Sequence, residues 1–419
     1  MGFLRSSFGL GLIVGLVAFW VPTLLHQSRI GGVFLTPKQT VLGEGRGPIR
    51  IEDTIHCEDV HHYRPANLLF TACEDTIDTR FKWFPGLGHL TPHPPARGSF
   101  HVIDPKTFKS IRLAFENFKG SFVTHGIDVI EDPSQEDAVY IFAVNHLPNP
   151  EYFEVTEPAK NTLKGRSQIE IFHHVLESET VQHVRSIRHP IIKTPNDIVA
   201  TTPTSFFVTN DHLHPSGWLR FLEDLWPRAK WSSIIHVKVT DLKSSDATRG
   251  FDASVAHQGL WNNNGLGHAR TDTEVVISSA QGGELYLAER HVGNNTLSVH
   301  TTIPFDTVTD NPSYYLDPYR TESDDASGFV VAGISQHVKL LWTGSDPKGI
   351  DPVQVWYTRP SAGSDEWEKK LLFEDDGTLI RTGSAAVLIP VEPVNGKKLA
   401  WLFVTGFLSE AMVAVQVEL

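Results

Sequence analysis

Cysteine is almost absent from this chain: Cys57 and Cys73 are the only two among 419 residues. Two thiols are too few for a disulfide scaffold, and their spacing fits no cysteine-ligated metal site. They leave room for at most one bridge, which an oxidising compartment would be needed to keep. Positive charge is also in short supply. Lys and Arg number 36 against 49 Asp and Glu, a formal net charge of -13. That balance argues against an electrostatic grip of the main body on nucleic acid or anionic lipid, and it suits a protein that holds a cation. A strict internal repeat motif is missing as well, so architecture must be read from the number and spacing of elements. What is present is an ordinary globular balance, 40% hydrophobic and 20% charged, with ample material for a core.

The chain opens on an uncharged, mostly apolar run from Phe8 to Leu25, with Arg5 before it and Arg29 after it. The run is long for a signal-peptide core and just long enough for a membrane-spanning helix. Phe19-Trp20-Val21-Pro22 is too bulky for a small-x-small cleavage site. The expectation is a hydrophobic leader or signal anchor over residues 1–35 that contacts the membrane. The remainder, 36–419, would then be lumenal, extracellular or secreted. The sequon Asn294-Asn295-Thr296 fits that side of a membrane. Arg5 and Arg29 flank the run too evenly to fix its orientation.

Beyond Gly31 the pattern is all-β. Short apolar runs, among them Phe100 to Ile103, Val139 to Val144, Ile169 to Phe172, Ser205 to Thr209, Val338 to Trp342 and Leu399 to Val404, alternate with Gly, Pro, Asn, Asp and Ser. So many short strands favour a propeller, because radial repetition absorbs strands without leaving long open edges. One segment breaks the rhythm. From Ser216 to Pro227, Trp218, Leu219, Phe221, Leu222, Leu225 and Trp226 form one apolar face, and Arg220, Glu223 and Asp224 lie off it. This predicts a short amphipathic helix capped by Ser216 and stopped by Pro227. It would pack on the body, roof a site, or touch a membrane surface with its tryptophans. Polar stretches at Lys243 to Gln258 and Ser361 to Lys370 read as surface loops.

The chemistry concentrates in oxygen-bearing and histidine-bearing pairs next to strands. Asn196 and Asp197 follow Pro195 after the apolar Ile191-Ile192. In extended chain these neighbours point to opposite sides, so each could face a different ion. Glu58-Asp59, His125, His146, Asn210-Asp211-His212, Asn264-Gly265 and Asp310-Asn311 recur at roughly one or two blade lengths, a blade being about 40 to 50 residues. In a propeller such positions converge on the central channel. Singly, each is an ordinary turn or a satisfied histidine. Together they offer carboxylate and amide oxygens, the hard donors that Ca²⁺ takes six to eight at a time.

In this order Glu58-Asp59, His125-Gly126-Ile127, Val144-Asn145-His146, Asn196-Asp197-Ile198-Val199, Thr209-Asn210-Asp211-His212, Asn264-Gly265 and Asp310-Asn311 resemble the serum paraoxonase/arylesterase family. Its members are six-bladed calcium propellers that hydrolyse lactones and aryl esters. The resemblance implies two calcium ions. Glu58, Asn196, Asn264, Asp310 and Asn311 would hold a catalytic ion. Asp59, Asp197 and the Ile127 carbonyl would hold a structural one. His125 would be the base and His146 its partner, acting on a small-molecule ester or lactone, with any phosphotriester hydrolysis a side activity. The chain departs from the family at its end and at Ile334, and insertions around Lys243 and Ser361 lengthen its loops. Its end, Val413 to Leu419, has no cysteine to tie the terminal strands, so pairing alone must close the ring. Ile334 stands where the family has a pocket histidine. A strictosidine synthase-like or gluconolactonase-like propeller fits the Asn196-Asp197-Ile198-Val199 and Asn210-Asp211-His212 pairings less well. From another class, a non-catalytic propeller that binds a partner and keeps calcium for stability remains an alternative.

Overall fold

The computed structural model describes residues 20–43, 46–91, 96–361, 363–364 and 366–419. Most of the hydrophobic leader, residues 1–19, lies outside them. Its described end is helical over residues 20–30, and no helix among the described residues is long and apolar enough to cross a membrane.

Six sheets of four or five strands make up the body. One strand of each, here β1 (Asp59–Tyr63), β2 (Thr124–Asp132), β3 (Pro195–Thr202), β4 (Asn263–His268), β5 (Pro312–Tyr315) and β6 (Gly383–Val394), packs against the next around a closed ring, β6 returning to β1. The fold is therefore a six-bladed β-propeller with these strands innermost, as the strand count predicts.

The apolar runs become strands because each blade buries both faces against its neighbours. Phe142, Ile171, Ile198 and Phe206 fill the gap between the second and third blades, and Val330, Val355, Leu388 and Leu402 that between the fifth and sixth. Each such side chain contributes about 1.5–3 kcal/mol of transfer free energy. Strand pairing closes the ring among the described residues: Ile49–Ile51 adds antiparallel to Met412–Glu418, with Ile49 opposite Ala414 and Ile51 opposite Met412. The question left open by the sequence is answered within the first blade, where Cys57 and Cys73 are bridged.

Four expectations need correction. The apolar run at Val338 to Trp342 is helical, as a 3₁₀ turn His337–Lys339 followed by Leu340–Thr343. A short apolar run fits strand and helix equally, and Leu341 and Trp342 end up exposed. Asn196 and Asp197, expected beside a strand, lie within one that begins at Pro195. The two polar stretches are only partly loops, because Phe251–Leu260 and Trp367–Asp375 form outer strands. The inserted helix exists, as Trp218–Leu225, but Gly217 is at its N-cap and Ser216 does not cap it. Its buried residue is Glu223, which accepts from the backbone N–H of Leu213 (2.8 Å) and His214 (3.0 Å). Trp218, Phe221 and Leu225 are exposed.

The feature that builds the site is a shared irregularity. Ladder pairing breaks between Thr124 and Ile127 in β2, Pro195 and Ile198 in β3, Asn263 and Leu266 in β4, and Gly383 and Ala386 in β6. Bulges re-aim side chains, and here they do so where His125, Asn196, Asp197 and Asn264 stand. Two glycines let the bulged strands meet. A Cβ on Gly126 would come within 2.3 Å of Asp197 Oδ1, and one on Gly265 within 2.6 Å of the Asn311 Cα.

Candidate metal and active site

At the channel end where the inner strands begin, Glu58, Asn196, Asn264, Asp310 and Asn311 come together from four blades. Asn311 Nδ2 donates to Glu58 Oε1 at 2.9 Å, and the Glu58 carbonyl is held by Thr405 Oγ1 at 3.0 Å and by the Ser384 hydroxyl. Each of the five leaves a buried oxygen with no hydrogen-bond partner: Glu58 Oε2, Asn196 Oδ1, Asn264 Oδ1, Asp310 Oδ1 and Asn311 Oδ1. A single orphaned buried acceptor is costly and uncommon, and five in one place call for a cation. Among the described residues no three His, Cys, Asp or Glu side chains gather as a metal group. The donor set here is three amides and two carboxylates, which suits calcium and not a softer metal. The residues therefore fit a calcium ion. Electrostatics points the same way. Burial, followed by the charges of Asp310, Asp59 and Asp197, pushes the Glu58 carboxyl well above the usual range, and burial with the charges of Asp59 and Asp211 does the same to Asp310.

His125 borders this cluster, its Nε2 3.4 Å from Asn196 Nδ2 and 3.8 Å from Glu58 Oε1. Its Nδ1 is 2.8 Å from His146 Nε2, and His146 Nδ1 is 2.7 Å from Ser167 Oγ. Trp83 Nε1 fixes the His146 carbonyl at 2.7 Å, and the Phe84 ring packs edge-on against His125. Burial, with His146 and Arg80 adding repulsion, holds His125 well below the ordinary imidazole range. Burial pushes His146 down to about 3. Both rings are thus free bases at neutral pH. A cavity of about 40 Å³ opens beside them, lined also by Leu90, Lys193, Asp211 and Arg220.

The other carboxylate pair sits differently. Asp59 Oδ1 accepts from Val60 N at 2.7 Å and Oδ2 from Ile127 N at 3.0 Å. Asp197 Oδ1 accepts from Ile198 N at 2.7 Å and Oδ2 from Leu266 N at 2.6 Å. Next to them is a cluster the sequence reading missed. His61 bridges Asp59 Oδ2 (3.3 Å) and Asp128 Oδ1 (3.1 Å), and His268 Nε2 lies 2.9 Å from Asp128 Oδ2. Burial opposes charge on Asp128, but His268 and His61 outweigh it and hold the carboxyl well below its usual range. Positions 61, 128 and 268 belong to three blades, so only the ring brings them together. His61 and His268, with Asp59, line a larger cavity of about 460 Å³ at the opposite end of the channel. Ile334 is buried with Phe84, Phe407 and Leu408. Asn294 is exposed in the turn of a fourth-blade hairpin.

His212 clamps the inserted helix to the site, 3.0 Å from Asp211 and 2.8 Å from Asp224. Burial opposes its charge, Asp211 overcomes it, and the pKa is raised to about 9. A histidine raised on folding stabilises fully below about pH 6.5, and that stabilisation is lost as pH rises through about 9, at most about 3 kcal/mol. With calcium chloride added, the thermal midpoint is expected to fall between about pH 7 and about pH 10, and His212→Gln should remove that part of the fall. A pH profile identical in wild type and variant would contradict the clamp.

The Arylesterase family model matches residues 75–323, a span that holds His125 through Asn311 but not Glu58 and Asp59. Human serum paraoxonase/arylesterase 2 is 28% identical over 239 residues, covering 56% of this chain and 58% of that protein. The dog (Canis lupus familiaris) protein of the same name is 29% identical over 262 residues, covering 62% of each. The chain thus spans about three fifths of the length of the curated relatives it matches. Among solved structures, a PQQ-bound aldose sugar dehydrogenase from Streptomyces coelicolor aligns over 90% of this chain and 99% of its own, at 12% identity and a TM-score of 0.44.

Proposed function

The chain belongs to the Arylesterase family, and on that premise we propose that it is a calcium-dependent hydrolase of aryl esters and lactones. The observation that carries the reading is the convergence of five buried, unpartnered oxygens beside a histidine pair. Glu58, Asn196, Asn264, Asp310 and Asn311 would hold the ion. Bound there, calcium would supply a Lewis acid for the ester carbonyl and offset charge on its oxygen. The chain's own residues do the rest. His125 Nε2 takes a proton from the attacking water, since its ring is a free base at neutral pH. His146 Nε2 accepts the Nδ1–H of His125, which leaves His125 Nε2 as the free base, and its own Nδ1 is held by Ser167 Oγ. Phe84 and Trp83 keep the pair dry and oriented. The protonated His125 then returns its proton to the leaving alkoxide or phenoxide.

Location belongs to the same proposal. An intact Cys57–Cys73 bridge suits an oxidising compartment, which supports the secretory pathway, with residues 8–25 as a membrane contact and Asn294 as a glycan acceptor.

Purified protein is expected to hydrolyse phenyl acetate and a simple γ- or δ-lactone with calcium, to lose the activity in EDTA and to regain it on adding calcium back. Calcium-dependent thermal stabilisation without any such hydrolysis would instead support a non-catalytic propeller.

A further inference from the structure

We propose that this chain binds one calcium ion and not two, because the carboxylate oxygens that the family resemblance assigns to the second are already bonded and the His61 ring adjoins Asp59. The inference rests on the reading above for the first ion.

The two groups of oxygens differ in what they lack. In the first, five buried oxygens from separate residues have no partner. In the second, each carboxylate oxygen of Asp59 and Asp197 already accepts a backbone N–H at 2.6–3.0 Å, from Val60, Ile127, Ile198 and Leu266. Among the described residues, neither aspartate contributes an unpartnered buried atom. Calcium needs six to eight oxygens at about 2.3–2.6 Å, and an imidazole adjoining Asp59 brings nitrogen and ring carbon in place of oxygen or water.

The His61 ring is itself pinned. Its two nitrogens reach Asp59 on β1 and Asp128 on β2, 3.3 Å and 3.1 Å away. Asp128 is committed in turn to Ala200 N (2.6 Å) and His268 Nε2 (2.9 Å), which ties β2 to β3 and β4. A chain of side-chain and backbone hydrogen bonds thus joins four blades across the channel, the task an ion between Asp59 and Asp197 would otherwise perform. Hydrogen bonds of this kind hold the ring together whether or not calcium is supplied.

The test uses the full chain, stripped with chelator, desalted and titrated with calcium chloride by calorimetry, with bound calcium counted by mass spectrometry after desalting. One event per chain that disappears in Glu58→Gln is expected. Asn264→Ala replaces that variant if circular dichroism shows it unfolded. Two events, or a single event that survives loss of Glu58, would overturn the inference while leaving the hydrolase reading in place. No binding at all would overturn that reading and this one with it. His61→Asp, which puts an oxygen where the ring stands, should raise the count to two, and a count that stays at one would overturn the role given to His61.

Discussion

Stripped of calcium, the protein is expected to lose stability as pH rises above the ordinary carboxylate range, and calcium should restore more stability the higher the pH. The sign follows from Glu58 and Asp310. Both carboxyls are raised on folding, by burial first and next by acidic neighbours, Asp310, Asp59 and Asp197 for Glu58 and Asp59 and Asp211 for Asp310. A folded acid whose pKa exceeds its unfolded value keeps a proton that the unfolded chain has released. Stability therefore falls as pH climbs above the ordinary carboxylate range toward the folded pKa. Calcium reverses this, because it occupies the oxygens only when they are deprotonated and so competes with the protons. At a free concentration about a thousand times its dissociation constant, one ion adds about 4 kcal/mol. Melting curves in EDTA and in calcium should accordingly diverge with rising pH, and in Glu58→Gln the gap should shrink sharply. Curves that run parallel across the range would mean that these carboxyls hold no ion.

How much of this the sequence discloses depends on the distance over which residues act. Strands behind the innermost ones were legible because apolar runs such as Val139 to Val144 and Ile169 to Phe172 answer to burial on both faces, a local pattern. Val338 to Trp342 was not, since a five-residue apolar run carries no period and its helical turn is set by surroundings. The inserted helix was legible as a helix from its spacing, but not in its orientation. Glu223 turns inward because the backbone N–H groups of Leu213 and His214 need an acceptor, and that need appears only once the loop is folded. The oxygen pairs could be gathered from Glu58 to Asn311 only by adding the ring geometry and a family resemblance. The bulges that aim them were invisible, because a bulge is a relation between two strands. His61, Asp128 and His268 fell outside the reading for the same reason, each looking like a lone polar residue in its own strand.

Replacing His125 by Gln is expected to lower kcat by about 10² to 10⁴, the usual contribution of a positioned base, with KM and the calcium-dependent rise in melting temperature little changed. Those unchanged quantities matter because His125 lies beside the proposed ligands without supplying an oxygen. Its Nε2 is 3.8 Å from Glu58 Oε1 and faces the amide nitrogen of Asn196, not its free Oδ1. Glutamine preserves polarity and much of the volume against Phe84 but cannot take a proton near neutral pH. His146→Gln should cost less, about tenfold, because it removes the group that orients His125 and not the base itself. Burial and the neighbouring His146 and Arg80 hold His125 below the ordinary imidazole range. The acid limb of the wild-type kcat profile should therefore lie below about pH 6.5, where an unperturbed histidine would put it. If His125→Gln kept more than about half of the wild-type kcat, the proton would have to leave the water by another route. Glu58, whose carboxyl is already assigned to the ion and lies 3.8 Å from His125 Nε2, would then have to answer for it.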